Sequence, residues 1–315
     1  MNKTVYIVIL NYKNWTDVRE CLLSILGSDY SNYKVVILDN ASGDQSLRNL
    51  TDWVENKQLW LKANTSKADF YRSYNENELS NEVINSLATF NFIQNEHNNG
   101  FAAGNNVILR YLKSVDAYVW LLNPDMIVSA NAMTELVQFT GSQMPRSITG
   151  AVLKKYEQPA EVYLYGGGQI NWNTATISFI TNLKDIGKLD YLNGSCIFLH
   201  ASHFETLGLL PTEYFLYWEE TDWCYNAKKL GYNINVCLTA ICYDKISATI
   251  GKSYLSDFYY TRNGLLFVKK YSPGNLNQAI FSTLLRISKR LVTGKMSRAN
   301  GTLAGLREFY KMQKK

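Results

Sequence analysis

The chain has 315 residues, 46% of them hydrophobic and 19% charged, which fits one large globular domain or two modest ones and excludes a disordered polymer. The net charge of +5 is uneven: from Leu276 onward there are nine Lys or Arg against one acid, Glu308. Five cysteines without a CxxC spacing argue against a cysteine metal site and predict buried free thiols in a reducing compartment.

The chain begins with TVYIVILNY, which reads as a strand and not as a signal peptide. No run of about 18 apolar residues predicts a membrane-spanning helix. A cytoplasmic protein is therefore expected. Residues 4–10 form a β-branched run, as in a buried parallel strand. Val18, Cys21, Leu22 and Ile25 then recur at helical spacing over 16–27, with Thr16 as a cap and Gly27 as the stop. KVVILDNAS (34–42) predicts a second buried strand ending at Asp39 and Asn40, so the three elements make a right-handed crossover unit. Residues 45–56 read as a helix and 57–90 as a variable insertion. FNFIQNE (90–96) is a third strand, HNNGFAAGNNVILRYLK (97–113) a Gly/Asn loop entering a helix, and AYVWLLNPDM (117–126) a fourth strand. A short helix covers 131–139.

Strands of open α/β sheets bind ligands at their carboxyl ends. That edge here predicts a nucleotide site lined by Asn11, Asp39, Asn40, Asn99 and Asp125. The second half changes character. YGGGQINWNTATISFI suggests hairpins of a mixed sheet, YLNGSCIFLH (191–200) and NINVCLTAICYD (233–244) read as strands, and TDWCYNAKKLGY and 254–271 as helices. One α/β body is expected, with a helical extension after about residue 272.

FLYWEETDWC (215–224) sets Glu219, Glu220 and Asp222 among aromatic residues. Acid at a helix start complements the dipole; acid in an apolar pocket serves equally as a catalytic base. Asp39 reads either as a cap for the following helix or as a base or ribose contact. Asp125, after Asn123-Pro124, reads as plain turn chemistry or as a carboxylate offered to a divalent cation. NNGFAAGNN has neither dinucleotide-loop nor P-loop spacing. The three histidines show no ligand spacing, and no G-x-S-x-G elbow is present.

Taken in order, ILNY, VILDNAS, NNGFAAGNN, LLNPD, NGSCIFLH, FLYWEETDWCYNAKKLGY and YYTRNGLLFVKKY resemble the inverting glycosyltransferases of family 2, with the GT-A fold, in particular the rhamnosyltransferase-type branch. The resemblance spans about residues 4–272. It implies a Rossmann-like mixed central sheet flanked by helices, with a nucleotide-binding half (1–140), an acceptor and catalytic half (141–272) and a basic helical extension (273–315). It further implies a metal-dependent, inverting hexosyltransferase-class enzyme using Mg²⁺ or Mn²⁺. The donor would be a nucleoside diphosphate sugar, dTDP-rhamnose first and a UDP-hexose second. The acceptor would be a glycan or lipid-linked glycan of a bacterial surface polysaccharide.

Carried over residue by residue, Asp39 matches the nucleobase-binding aspartate and Asn11 its neighbour. Asn40, Asn99 and Gly100 join the donor site. Asn123-Pro124-Asp125 sits at the DxD-type motif, with Asp125 as metal ligand and Asn123 in place of the first acid. Asn193 and Gly194 shape the sugar site. Glu220 takes the place of the general base, beside Glu219, while Asp222 helps hold the helix start. Asp244 stands in ICYDKISAT where many members have a metal-binding His, so the expected metal site is all-oxygen.

Two rivals stay open: a catalytically silent sugar-nucleotide or glycan-binding protein, for which the Asn123 and Asp244 variations leave room, and a nucleotidyltransferase, for which NYKNW is a poor phosphate loop. Within 276–292, six apolar residues interleave with Arg286, Lys289 and Arg290. Such a helix either packs with a solvated basic face or lies on the inner face of the cell membrane. Nothing else supports nucleic-acid binding.

Overall fold

The computed structural model describes residues 3–143, 145–246 and 253–314. Its first half alternates strand and helix: β1 (Val5–Asn11), α1 (Trp15–Leu26), β2 (Tyr33–Asp39), α2 (Ser46–Asn56), the short α3 (Leu59–Lys62) and α4 (Lys67–Phe70), β3 (Tyr71–Asn75), α5 (Asn81–Asn85), β4 (Phe90–Gln94), α6 (Gly100–Leu112), β5 (Tyr118–Leu122), β6 (Met126–Val128) and α7 (Ala132–Ser142). The second half adds β7 (Ser147–Lys155), β8 (Val162–Tyr165), β9 (Gly167–Asn171), β10 (Thr176–Phe179), β11 (Tyr191–Leu192), β12 (Cys196–His200), α8 (His203–Leu207), α9 (Glu219–Lys229) and β13 (Asn233–Asp244). Three long helices follow: α10 (Tyr254–Tyr271), α11 (Leu276–Val292) and α12 (Met296–Met312).

Nine strands run in the order β3-β4-β2-β1-β5-β12-β7-β13-β6, and β8 pairs with β7 as the tenth. From β3 to β5 all pairings are parallel. β12 enters antiparallel between β5 and β7. The strand order reverses between β1 and β5, so a crevice opens beyond Asn11 and Leu122. β9, β10 and β11 form a second, small sheet.

Because strand side chains alternate faces, the β-branched runs supply both faces of the sheet. Tyr6, Val8, Val36 and Leu38 pack with α6 and α9 on one side. Val5, Ile7, Ile9, Val35 and Ile37 pack with α1, α2 and α7 on the other. A third cluster joins Leu265 and Val268 of α10 to Ala279, Ile287, Leu306 and Phe309 of α11 and α12.

Three local expectations change. The helix start expected at Thr16 lies one residue earlier, at Trp15, with Asn14 in the N-cap position; the Asn14 side chain makes no cap bond and its amide donates to Asp17 instead, 2.5 Å. Segment 57–90 is no loop: it carries the edge strand β3, whose polar sequence YRSYN hides it because an edge strand needs little burial. The expected strand 191–200 is split by the Asn193-Gly194-Ser195 turn into β11 and β12, which belong to different sheets.

Candidate active site

Asn11 and Asp39 are register partners at the ends of β1 and β2. Asp39 is buried, and its carboxylate is fully engaged by its own chain. Oδ1 accepts from Asn11 Nδ2 (2.7 Å) and Ser42 Oγ (2.6 Å), and Oδ2 from Ser42 N (3.0 Å) and Gln94 Nε2 (3.0 Å). A nucleobase reaching Asp39 would displace one of these donors. Asn40 turns toward the loop before α6, donating to Asn98 Oδ1 (2.9 Å) and to the Gly100 carbonyl (3.2 Å). Asn99 is exposed at the start of α6 and does not cap it with its side chain. Gly100 has φ +86°, and a Cβ there would lie 2.1 Å from the Phe215 carbonyl oxygen. Only glycine tolerates both conditions. The Phe101 N–H donates to the same carbonyl, 2.8 Å. The donor-side loop is thus stitched to the loop that carries the acidic motif.

Asn123 N–H donates to the Ser195 carbonyl (3.0 Å), and Asn193 Oδ1 accepts from Ser195 N (3.0 Å) and Oγ (2.6 Å). This sets the Asn123 turn beside the Asn193-Gly194 turn. A side chain at Gly194 would touch Glu220 Cγ at 3.5 Å and Phe101 at 3.6 Å. Asp244 pairs across β13 with Met126, one residue past Asp125. Burial and then the Asp125 charge push the Asp244 carboxyl up to about 6. The two carboxylates repel at this partly buried edge, and their oxygens suit a hard cation. No cluster of three His, Cys, Asp or Glu poised for a metal stands among the described residues. The ICYDKISAT segment runs past residue 246, outside the described residues.

Glu219 and Glu220 open α9, the motif's helix as expected from the dipole argument. The loop before them is strained: Phe215, Tyr217 and Trp218 have φ of +63°, +66° and +78°. Each such non-glycine residue costs about 1–3 kcal/mol, which persists only where surrounding contacts force it. The three acids differ in how they are partnered. Asp222 is structural: it is buried and accepts from Tyr214 Oη, Lys270 Nζ (2.7 Å) and Tyr271 Oη (2.6 Å). Glu219 and Glu220 each keep one buried carboxylate oxygen without a hydrogen-bond partner. Burial pushes Glu219 well above the usual carboxylate range, reinforced by Glu220, and burial pushes Glu220 up to about 7. A carboxylate with that affinity is suited to take a proton near neutral pH.

Two features around the pair went unread in the sequence. Tyr191 is fully buried, its hydroxyl is unpartnered, and it lies in the field of Glu220. Arg262 and Asn263 of α10 grip the strained loop. The signal was present in TRNG, but no spacing rule links it to a motif 40-odd positions earlier. Two of the histidines lie elsewhere: His200 pairs with Asp116 (3.0 Å) and His203 with the Pro145 carbonyl (2.6 Å). All five cysteines are buried and free.

Residues 6–70 match the profile of Glycosyl transferase family 2. The chain is 23% identical over 280 residues to the low-salt glycan biosynthesis hexosyltransferase Agl10 of Haloferax volcanii, covering 87% of this chain and 85% of that protein. Among solved structures it is similar to the mannosyltransferase PcManGT of Pyrobaculum calidifontis in complex with GDP-Man and Mn²⁺, at TM-score 0.56 and 12% identity, over 97% of this chain and 86% of that one. It is also similar to S. aureus TarS 1-349 in complex with UDP-GlcNAc, at TM-score 0.54 and 13% identity, over 97% of this chain and 80% of that one. The fold is GT-A: a mixed, mostly parallel central sheet flanked by helices, as the sequence implied.

Proposed function

We propose that this chain is an inverting glycosyltransferase that moves a hexose from a nucleoside diphosphate sugar to a hydroxyl of a growing glycan. One observation carries the reading: two buried carboxylates with unpartnered oxygens sit at the start of α9, against Gly194, on the edge that also holds Asp39, Asp125 and Asp244. The hexosyl class, to which rhamnose as a 6-deoxyhexose also belongs, is supported by the relative Agl10, a hexosyltransferase matched over most of the chain.

Glu220 is the base in this reading. It removes the acceptor hydroxyl proton as that oxygen attacks the anomeric carbon from the face opposite the diphosphate, inverting the centre in one displacement. Burial and the neighbouring Glu220 charge raise the Glu219 carboxyl well above the usual range, which favours its neutral form beside an ionised Glu220. Asn193, Gly194 and Phe101 shape the sugar side, and Asn11, Asp39, Asn40, Asn99, Gly100 and Asn123 the donor side. Asp125 and Asp244 would hold Mg²⁺ or Mn²⁺, which when bound neutralises the departing diphosphate. The chain divides into a donor half (1–140), a catalytic half (141–272) and the helical extension.

The extension also bears on where the enzyme works. Arg286 is turned inward and Arg290 pairs with Asp257 (2.6 Å), so neither belongs to a solvated basic face. The outward stripe of α11 is Phe281, Leu284, Leu285, Leu291 and Val292, the last 89% exposed, flanked by exposed Lys289 and Lys295. No helix among the described residues is long and apolar enough to cross a membrane. Apolar surface flanked by lysines suits contact with an anionic bilayer, where a lipid-linked acceptor would be met. Sedimentation with anionic but not zwitterionic vesicles, lost in Leu284→Ser/Leu285→Ser, supports this contact; equal binding to both, or none, refutes it.

The function itself is tested by nucleotide-sugar turnover across UDP-, dTDP- and GDP-linked donors with Mn²⁺. Release of nucleotide that needs Glu220 is expected. Donor binding without turnover in any combination favours the silent binding protein.

A further inference from the structure

We propose that Asn263, assisted by Arg262, is a positioning residue that sets the Glu219–Glu220 pair by holding the strained loop 214–218 in place. The inference rests on the reading of Glu220 as the base.

The loop has no regular backbone pairing that would account for its three positive φ angles. Three of its five carbonyls, those of Tyr214, Leu216 and Tyr217, go to one side chain, while those of Phe215 and Trp218 accept from the Phe101 and Asp222 N–H groups. Asn263 is fully buried, and its single amide group lies 2.7 Å from the Tyr214 carbonyl, 2.7 Å from that of Leu216 and 2.9 Å from that of Tyr217. Two N–H bonds are shared among three acceptors, a geometry that fixes all three carbonyls relative to one another. Its Oδ1 accepts from Arg262 Nε (2.7 Å), which fixes the amide orientation, while Arg262 Nη2 donates again to the Tyr214 carbonyl (2.7 Å).

The neighbouring positions complete the grip. Trp218 Nε1 donates to the Tyr260 carbonyl (3.1 Å), Tyr259 stacks on Phe215 at 4.9 Å, and a Cβ at Gly264 would lie 2.9 Å from the Trp218 ring. One turn and a half of α10, residues 259–264, therefore meets the loop at Tyr214, Phe215, Leu216, Tyr217 and Trp218. α10 is itself anchored from the chain beyond residue 272. Asp257 accepts from Arg290 of α11 (2.6 Å) and Arg298 of α12 (2.7 Å), and Gly301 and Gly305 let α12 approach the carbonyls of Tyr254 and Phe258. The C-terminal helices are on this view a brace for the carboxylate pair.

The test uses the full chain as wild type, Asn263→Ala, Arg262→Lys and Glu220→Gln, with the double variants that combine Glu220→Gln with each of the first two. Nucleotide binding is followed by the thermal shift with UDP and Mn²⁺, and transfer by kcat and KM. The groups facing Glu220 are Glu219 and Cys224 on its own helix, Tyr217 before it, and Tyr191 and Tyr260 across from it. Its ionisation is read without substrate, from the pH at which each background and its Glu220→Gln partner diverge in melting temperature. Expected for Asn263→Ala are an unchanged UDP shift, an unchanged donor KM, a kcat lower by roughly 100-fold, and a divergence midpoint displaced toward the ordinary glutamate range. Arg262→Lys, which spares the amide, is expected to move each readout in the same direction by less. Should Asn263→Ala keep both kcat and the midpoint, or lose the UDP shift in step with kcat, the positioning role is refuted. If Glu220→Gln turns over like wild type, the base assignment fails instead, and the midpoint still reports on Asn263.

Discussion

Replacing Glu220 by Gln tests the site most directly, because it changes two observables in opposite directions. The side chain keeps its shape but cannot take a proton. Burial raises the Glu220 carboxyl from 4.5 to about 7, so the folded protein prefers the protonated form more than the unfolded chain does. The associated stability is fully present below the unfolded value near 4.5 and is lost as pH rises through 7. A shift of that size corresponds to up to ~3 kcal/mol, and partial exposure of the residue reduces it to about 1–3 kcal/mol. Glu220→Gln does not titrate. It should match wild type in stability near pH 5 and exceed it at pH 8, by roughly 2–6 °C in melting temperature. Its transfer rate should fall about 10²–10⁴-fold, the usual worth of a general base. In wild type, kcat should rise with pH through about 7, since the base acts deprotonated. Thermal melts at matched pH and initial rates read both effects. A stability gap that does not open between pH 5 and 8 would refute the buried, raised carboxyl. A rate within a few-fold of wild type would refute the base.

Gly100→Ala places a Cβ 2.1 Å from the Phe215 carbonyl at φ +86°, so a loss of about 2 kcal/mol or more and a strong drop in transfer are expected; urea melts and rates check it. Asp222→Ala removes the acceptor shared by Tyr214, Lys270 and Tyr271 and should cost about 2–4 kcal/mol in chemical denaturation, far more than Glu219→Gln. Asp125→Asn and Asp244→Asn should each abolish the Mn²⁺-dependent part of a nucleotide thermal shift, and Asp244→Asn, which removes a carboxyl raised by burial and by the Asp125 charge, should leave the apo melting temperature level or raised. An unchanged Mn²⁺ effect would take the metal away from this edge.

Much of this molecule is readable in one dimension because its physics is local. VYIVIL and VVIL (35–38) carry no charged residue, as strands covered on both faces must, and each is followed at once by Asn11 or Asp39, where the sheet stops and the crevice begins. The acids after LLNP and after FLYW are visible for the same reason: charge in apolar surroundings is a local anomaly. The sequence alone therefore determined the α/β alternation, the strand edge that carries the candidate residues, and the short list of carboxylates. It could not divide roles among them. Whether Asp222 is tied to α10 while Glu219 and Glu220 keep unpartnered oxygens depends on Tyr271 and Lys270, nearly fifty residues away. That Asp39 is already fully hydrogen-bonded depends on Gln94, from another strand. That Arg290 is tied inward depends on Asp257 of α10 and on Thr302 of α12. Each is a long-range contact between side chains of ordinary composition. Such pairings leave no periodicity in the chain, because burial and hydrogen-bond satisfaction are properties of the packed molecule and only the tertiary structure decides them.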